Sequence, residues 1–241
     1  MPLPTIATPT YELTLPSTGK KIKYRPFLVK EEKILILALE SQDQSEITNA
    51  VKDVLKKCIL TRGIKVEELP TFDIEYVFLN IRAKSIGESI KIIVTCSDDG
   101  TTQVPVTIYV DEIEVKKPEG HTTDIKLDDK MTLRMKYPSL NQFIENNFET
   151  SLTPEATVNK AFKVIADCME TIFTEEDAWD VKDYTSKERL EFIEQLNSKQ
   201  YKEVEKFFAT MPKLTHSFEV ENPNTKVKNT ITLEGLADFF A

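Results

Sequence analysis

Glycine is scarce in this chain: six in 241 residues, at positions 19, 63, 87, 100, 120 and 235, with no pair closer than Gly87 and Gly100. Loops that cradle phosphate need glycines about two to five positions apart, so that backbone N–H groups can approach the anion without interference from Cβ. A P-loop and a dinucleotide fingerprint are both excluded. Histidine is rarer still, with only His121 and His216, and the three cysteines, Cys58, Cys96 and Cys168, include no CxxC pair. Zinc sites usually draw paired ligands from one knuckle or one helical turn, and the sequence offers none. The longest apolar run, Ile34 to Leu39, is six residues, against the ~18–20 that span a bilayer. The opening MPLPTIATP lacks the basic and apolar regions of a secretory leader. With an odd cysteine number, this leads us to expect a reducing compartment, the cytosol.

What is present is acidic and globular. Forty Asp and Glu side chains face 31 Lys and Arg, a formal charge of −9. Nucleic-acid binding through phosphates requires clustered cations that displace counterions, so it is not the expected activity. A hydrophobic content of 40% supports a real core, and the length allows one large domain or two small ones.

The first nine residues carry three prolines and read as an extended arm. Tyr11 to Leu15 and Lys20 to Arg25 alternate around Pro16-Ser-Thr-Gly19, a β-hairpin. Val29 to Glu40 reads as a helix whose apolar block covers the whole circumference, the pattern of a centrally buried helix. Ile47, Ala50, Val51, Val54, Leu55, Cys58 and Ile59 keep strict helical spacing. Asp43 and Glu46 form a capping-box pattern before them, and Cys58 is expected to be a small core residue. A third helix is predicted over 72–84. The β-branched runs 88–95 and 102–110 flank Ser97-Asp-Asp-Gly100, and 123–127 and 131–137 flank Asp128-Asp-Lys130, which predicts an antiparallel sheet in mid-chain.

After Pro138 the pattern turns helical, over 139–148, from Thr153-Pro154 through Ile172, from Thr185, and from Ser198 to Pro212. The acidic stretch 174–184, with the single Trp179, reads as a loop. Strands 214–221 and 226–233 flank Asn222-Pro-Asn-Thr225, a loose echo of the second hairpin. Strands come in hairpins and helices in runs, so the expected class is α+β, with antiparallel hairpins and two groups of helices. The expected division is 1–137 and 138–241, or one continuous domain.

No reaction centre is legible. The pairs Asp98 with Asp99, Asp128 with Asp129 and Glu175 with Glu176 lie in turns, where neighbouring carboxylates are neither held apart nor shifted in pKa as acid–base catalysis requires. Neither histidine follows a recognisable nucleophile elbow. The apolar C-terminal residues Leu236, Phe239 and Phe240 either fold back on their own sheet or serve a partner.

Three long segments carry a resemblance: Tyr11 to Lys33 (YELTLPSTGKKIKYRPFLVKEEK), Ile81 to Glu88 (IRAKSIGE) and Leu233 to Phe240 (LEGLADFF). They resemble the baseplate hub assembly proteins of T-even-type contractile-tailed bacteriophages. The resemblance implies a non-enzymatic assembly factor without catalytic, metal or cofactor residues, acting in the host cytoplasm or in the tail baseplate. The implied partners are other tail proteins, a hub subunit or the tape-measure protein, with neither nucleic acid nor membrane. Arg82, Lys84, Glu88, Leu236, Phe239 and Phe240 are the expected contact residues. A permanent hub subunit is the alternative, and an uncharacterised hydrolase a remote one. Some members of the family pair cysteines in hairpins that look like zinc knuckles. Here Cys96 is alone in the second hairpin and the last has only His216, so backbone pairing is expected to hold its turn. The acidic balance is expected to keep copies apart, and away from DNA, until a partner arrives.

Overall fold

The computed structural model describes residues 6–41, 43–140, 142 and 154–235, among which the chain forms six α-helices and eleven strands in small antiparallel sheets. The class is α+β. The chain forms two compact units, and they do not follow a linear cut at 137. One joins the chain up to Lys116 with the chain from Lys213 onward; the other is Lys117–Pro212. The physical reason is strand pairing, since β10 (Lys213–Glu221) bonds β5 (Glu114–Lys116), Leu214 opposite Val115. The last hairpin thereby joins the first part of the chain.

In the first unit β1 (Tyr11–Thr14) pairs with β2 (Lys21–Tyr24), and alternation buries Leu13, Ile22 and Tyr24 while exposing Lys21 and Lys23. The turn of this hairpin is anchored on α3 (Thr71–Ile86). Buried Asp73 accepts hydrogen bonds from the Ser17 N–H at 3.0 Å and from the Ser17 hydroxyl. Burial raises the Asp73 carboxyl, and the two Ser17 bonds work against that rise. In α2 (Gln44–Cys58) the periodic stripe Ala50, Val51, Val54, Leu55 and Cys58 is buried. Asp43 caps the helix, its Oδ1 accepting the N–H groups of Ser45 at 2.8 Å and Glu46 at 3.1 Å.

Helix α1 (Val29–Ser41) departs from expectation. Its start is fixed by buried Glu31, which accepts the Leu28 N–H at 2.8 Å and the Arg25 guanidinium at 3.3 and 3.4 Å. Burial alone would raise the Glu31 carboxyl, but these partners hold it below its ordinary value. Glu31 and Ala38 are buried and Ile34 and Leu35 half-buried, whereas Val29, Ile36 and Leu37 are 79%, 49% and 56% exposed. The helix is not centrally buried. Its apolar block is shared between an inner and an outer face.

The middle of the chain is not one sheet. β3 (Ser89–Thr95) and β4 (Gln103–Tyr109) make a two-stranded ribbon, while β5, β10 and β11 (Lys228–Glu234) make a second sheet in the order β11-β10-β5. Inward residues of both, including Ile90, Ile92, Val94, Ile108, Leu214, Val220 and Leu233, pack with Leu79 and Ala83 of α3 into one core.

The second unit holds a four-stranded antiparallel sheet in the order β6 (Asp124–Lys126), β7 (Thr132–Met135), β8 (Met169–Phe173), β9 (Ala178–Asp180). The helix expected to run through Ile172 stops at Cys168 as α4 (Pro154–Cys168). Met169 and Ile172 fit helical spacing, but β-branched and aromatic residues at 171–173 suit a strand. Pairing with β7, Leu133 opposite Ile172, decides the outcome. The stretch 174–184 is likewise not all loop, because Trp179 pairs with Ile172 in β9. A full capping box opens α5 (Ser186–Glu194): Thr185 N–H donates to Glu188 at 2.8 Å, and Glu188 N–H to the Thr185 hydroxyl at 3.3 Å. α6 (Ser198–Ala209) follows, contributing Val204 and Phe207 to the core. The helix expected over 139–148 lies, beyond residues 139, 140 and 142, outside the described residues.

Leu133 is fully buried at the centre of this sheet, opposite Ile125 on one side and Ile172 on the other. Leu133→Ala is expected to remove about 3 kcal/mol of unfolding free energy. The shift of the urea midpoint at constant m-value measures it.

Candidate interaction surfaces and the interlocked turns

The expected contact residues fall in three places. Lys84, near the end of α3, and Glu88, just past it, are brought together as an ion pair. The Lys84 Nζ also sits 5.4 Å from the centre of the Tyr11 ring, itself 5.8 Å from the Tyr24 ring, so the pair closes the edge of the first hairpin. Arg82, two positions from Lys84, does not share its face. It is half-buried, and that burial lowers its pKa. Leu236, Phe239 and Phe240 lie outside the described residues.

Both histidines are engaged in structural contacts. The His121 ring nitrogens lie 2.9 Å from the Thr210 hydroxyl and 2.9 Å from the Tyr137 hydroxyl, and the ring stacks on Tyr137 and Phe207. Burial lowers its pKa, which favours the neutral imidazole. His216 reaches the Glu112 carbonyl at 3.1 Å and stacks on Phe218. The cysteines are buried and free, and burial pushes the Cys58 thiol up to about 11 and the Cys168 thiol to about 12. Such thiols stay protonated at neutral pH and are poor nucleophiles. Cys58 is the core residue its spacing suggested. Among the described residues, no group of three or more His, Cys, Asp or Glu is arranged to hold a metal ion.

A large polar cluster among the described residues is only partly legible in sequence. The echo between the second and last hairpins is a shared turn. Gly100 N–H bonds the Cys96 carbonyl at 3.0 Å, as Lys226 N–H bonds the Asn222 carbonyl at 2.9 Å. The first hairpin repeats it, Gly19 N–H bonding the Leu15 carbonyl at 2.8 Å. In each, the residue that closes the turn has positive φ: 68° at Gly19, 67° at Gly100 and 63° at Lys226. Glycine takes this left-handed geometry freely, whereas Lys226 bears a strain that its neighbours must hold.

Those neighbours are side chains, not backbone pairing alone. Fully buried Asn222 donates from Nδ2 to Asp98 at 2.9 Å and Asp99 at 3.0 Å, while its Oδ1 accepts the Asn224 N–H at 2.9 Å and the Thr225 N–H at 3.3 Å. Buried Asn229 accepts the Ser97 hydroxyl at 2.8 Å and the Asp98 N–H at 2.9 Å. Asn224 donates to the Thr102 hydroxyl at 2.9 Å, and Thr225 to Asp98. The two turns are thus bolted together, with the amides spanning the gap between them. The hydroxyl of Thr225 and then the amide of Asn222 hold the Asp98 carboxyl below its ordinary value; the hydroxyl and N–H of Thr102 do the same for Asp99.

A family model described as "T4 bacteriophage base plate protein" matches residues 8–241. The chain belongs to this family, which places it among phage tail proteins. No curated protein and no solved structure matches the chain. No described helix is long and apolar enough to cross a membrane.

Replacing Asn222 takes one donor from each of two carboxylates, which keep Thr225 and Thr102, and leaves two N–H groups without their acceptor, so Asn222→Ala is expected to cost about 2 kcal/mol at pH 7. Because Asp98 and Asp99 are depressed in the folded state, their contribution is complete above the unfolded value of about 4 and is lost as pH falls through the folded values. Thermal melts between pH 7 and pH 2 should therefore show the Asn222→Ala deficit shrinking toward acid. A deficit independent of pH would sever the amide from the carboxylates.

Proposed function

We propose that this protein is an assembly factor for the baseplate hub. It binds another tail protein, a hub subunit or the tape-measure protein, and helps it reach an assembly-competent state in the cytoplasm of the infected bacterium. The observation that carries this reading is the family match over residues 8–241, joined to the three hub-assembly-like segments of the sequence. The chemistry of the described residues supports it. The rare reactive groups are spent on internal packing: His121 in an aromatic stack, His216 against a backbone carbonyl, and three cysteines in the core. A protein that acts by contact needs a rigid scaffold and a surface, and these groups supply the scaffold.

The contact regions in this proposal are the Arg82, Lys84 and Glu88 segment and the apolar Leu236, Phe239 and Phe240. Removing residues 236–241 is expected to abolish capture of the partner from infected cells, while the circular-dichroism melt moves by no more than about 2 °C, the scale of a surface change. Loss of the fold would show that these residues are core and end their assignment as a contact.

The family description, a base plate protein, favours a second reading, a permanent structural subunit. Mass spectrometry of purified virions separates the two. Absence from particles combined with abundance in infected lysate is the expected result for an assembly factor, and stoichiometric peptides in particles would establish the subunit.

A further inference from the structure

Helix α1 is apolar on two opposite faces, and only one of them is covered among the described residues. At about 100° per residue, Glu31, Ile34, Leu35 and Ala38 form the inner face. Val29, Lys33, Ile36, Leu37 and Glu40 form the outer one. Val29, Ile36 and Leu37 are 79%, 49% and 56% exposed, and Lys33 and Glu40 are exposed too. A further exposed apolar residue lies on α3. Phe27 N–H bonds the Ser85 hydroxyl at 3.0 Å, which sets the start of α1 beside the end of α3, where Ile86 is 54% exposed. An exposed group of large apolar residues on one helix face marks a place that another molecule covers.

We propose that the occupant is a second copy of this chain, with α1 lying antiparallel to α1 of the partner across a two-fold axis between Ile36 and Leu37. The charges on the face select this occupant. About such an axis each residue meets the one equally far on the other side, so Ile36 meets Leu37 and Lys33 meets Glu40. A two-fold interface repeats every contact, giving two opposite-charge pairs around an apolar centre. A parallel arrangement would set Lys33 against Lys33 and Glu40 against Glu40. The net charge of −9 opposes association only over distance, and salt screens it beyond about 8–10 Å. The five outer-face residues carry one cation and one anion, and Lys30 on their flank is paired with Glu31 at 3.7 Å. One face of a 13-residue helix with its flank offers less than the ~800 Å² per partner of a tight complex, so the pairing is reversible, with a Kd on the order of 10 µM.

Sedimentation equilibrium of the full chain, from 1 to about 200 µM, tests this without any other tail protein, so its outcome is independent of the assembly-factor reading. The expected mass rises with concentration from 27.6 kDa toward twice that value. Ile36→Lys combined with Leu37→Lys, or the gentler Ile36→Ser with Leu37→Ser, should hold the chain monomeric with a wild-type melt. Lys33→Glu alone and Glu40→Lys alone should each weaken association about fivefold to tenfold at low salt. The double variant Lys33→Glu/Glu40→Lys should recover the wild-type Kd to within about twofold. A wild-type chain that stays at monomer mass throughout overturns the proposal. So does association that survives the changes at 36 and 37, or a double charge swap that fails to restore what each single swap removed.

Discussion

Strand β10 is bonded along both edges, to β11 on one side and to β5 on the other, and the first unit depends on that double pairing. Leu214, Val220 and, on β11, Leu233 put apolar side chains against Leu79 and Ala83 of α3, so the last hairpin covers a helix made much earlier in the chain. Edge strands of small sheets are prone to wrong pairing. Here the register is fixed from outside the ladder, because the β10–β11 turn is bonded through Asn222, Asn224 and Thr225 to the turn of β3–β4. A one-residue slip would turn every side chain of β10 to the opposite face and would also strand buried amides beside unpartnered carboxylates. Apolar burial supplies the driving force, and the polar bolt supplies the uniqueness.

How much of this could be read in advance depended on whether the signal was local. Hairpins closed by Gly19 and Gly100, the α2 stripe from Ala50 to Cys58 and the box of Thr185 with Glu188 rest on neighbours in sequence, and each was legible. The end of α4 was not. Met169 and Ile172 satisfy helical spacing, and only the presence of β7 selects the strand. Trp179 sits among acidic residues that mimic a loop, and its partner Ile172 has helical spacing. The division into units was hidden for the same reason, since three residues of β5 carry almost no propensity signal, yet they determine where β10 goes.

The candidate site divides in the same way. Lys84 and Glu88 lie four apart and meet across the end of a helix, as that spacing suggests. Arg82 is two positions from Lys84 in sequence but points elsewhere on the helix and is half-buried. The amide network lacks any one-dimensional signature: Ser97 and Asn229 are far apart in the chain and become partners only once two hairpins face each other. An echo in turn composition was the available clue, and it pointed to similarity of shape without revealing contact. In α1 the apolar circumference does not amount to burial. It equally describes a helix with one neighbour inside the fold and room for another outside.

The unit that contains the chain's beginning is interrupted by the whole of Lys117–Pro212. On the ribosome this order has a temporal meaning. At ~5–20 residues per second, roughly 5–20 s separate the emergence of β5 from that of β10, and during that interval the apolar flank of α3 and the inner face of β3–β4 have nothing to cover them. The second unit is continuous and can complete itself as it emerges, whereas the first must wait for the final hairpin. Yield in the cell is therefore set by how well the nascent early segment is shielded during that delay, and a lower growth temperature or an abundant general chaperone acts on that window, not on the stability of the finished protein.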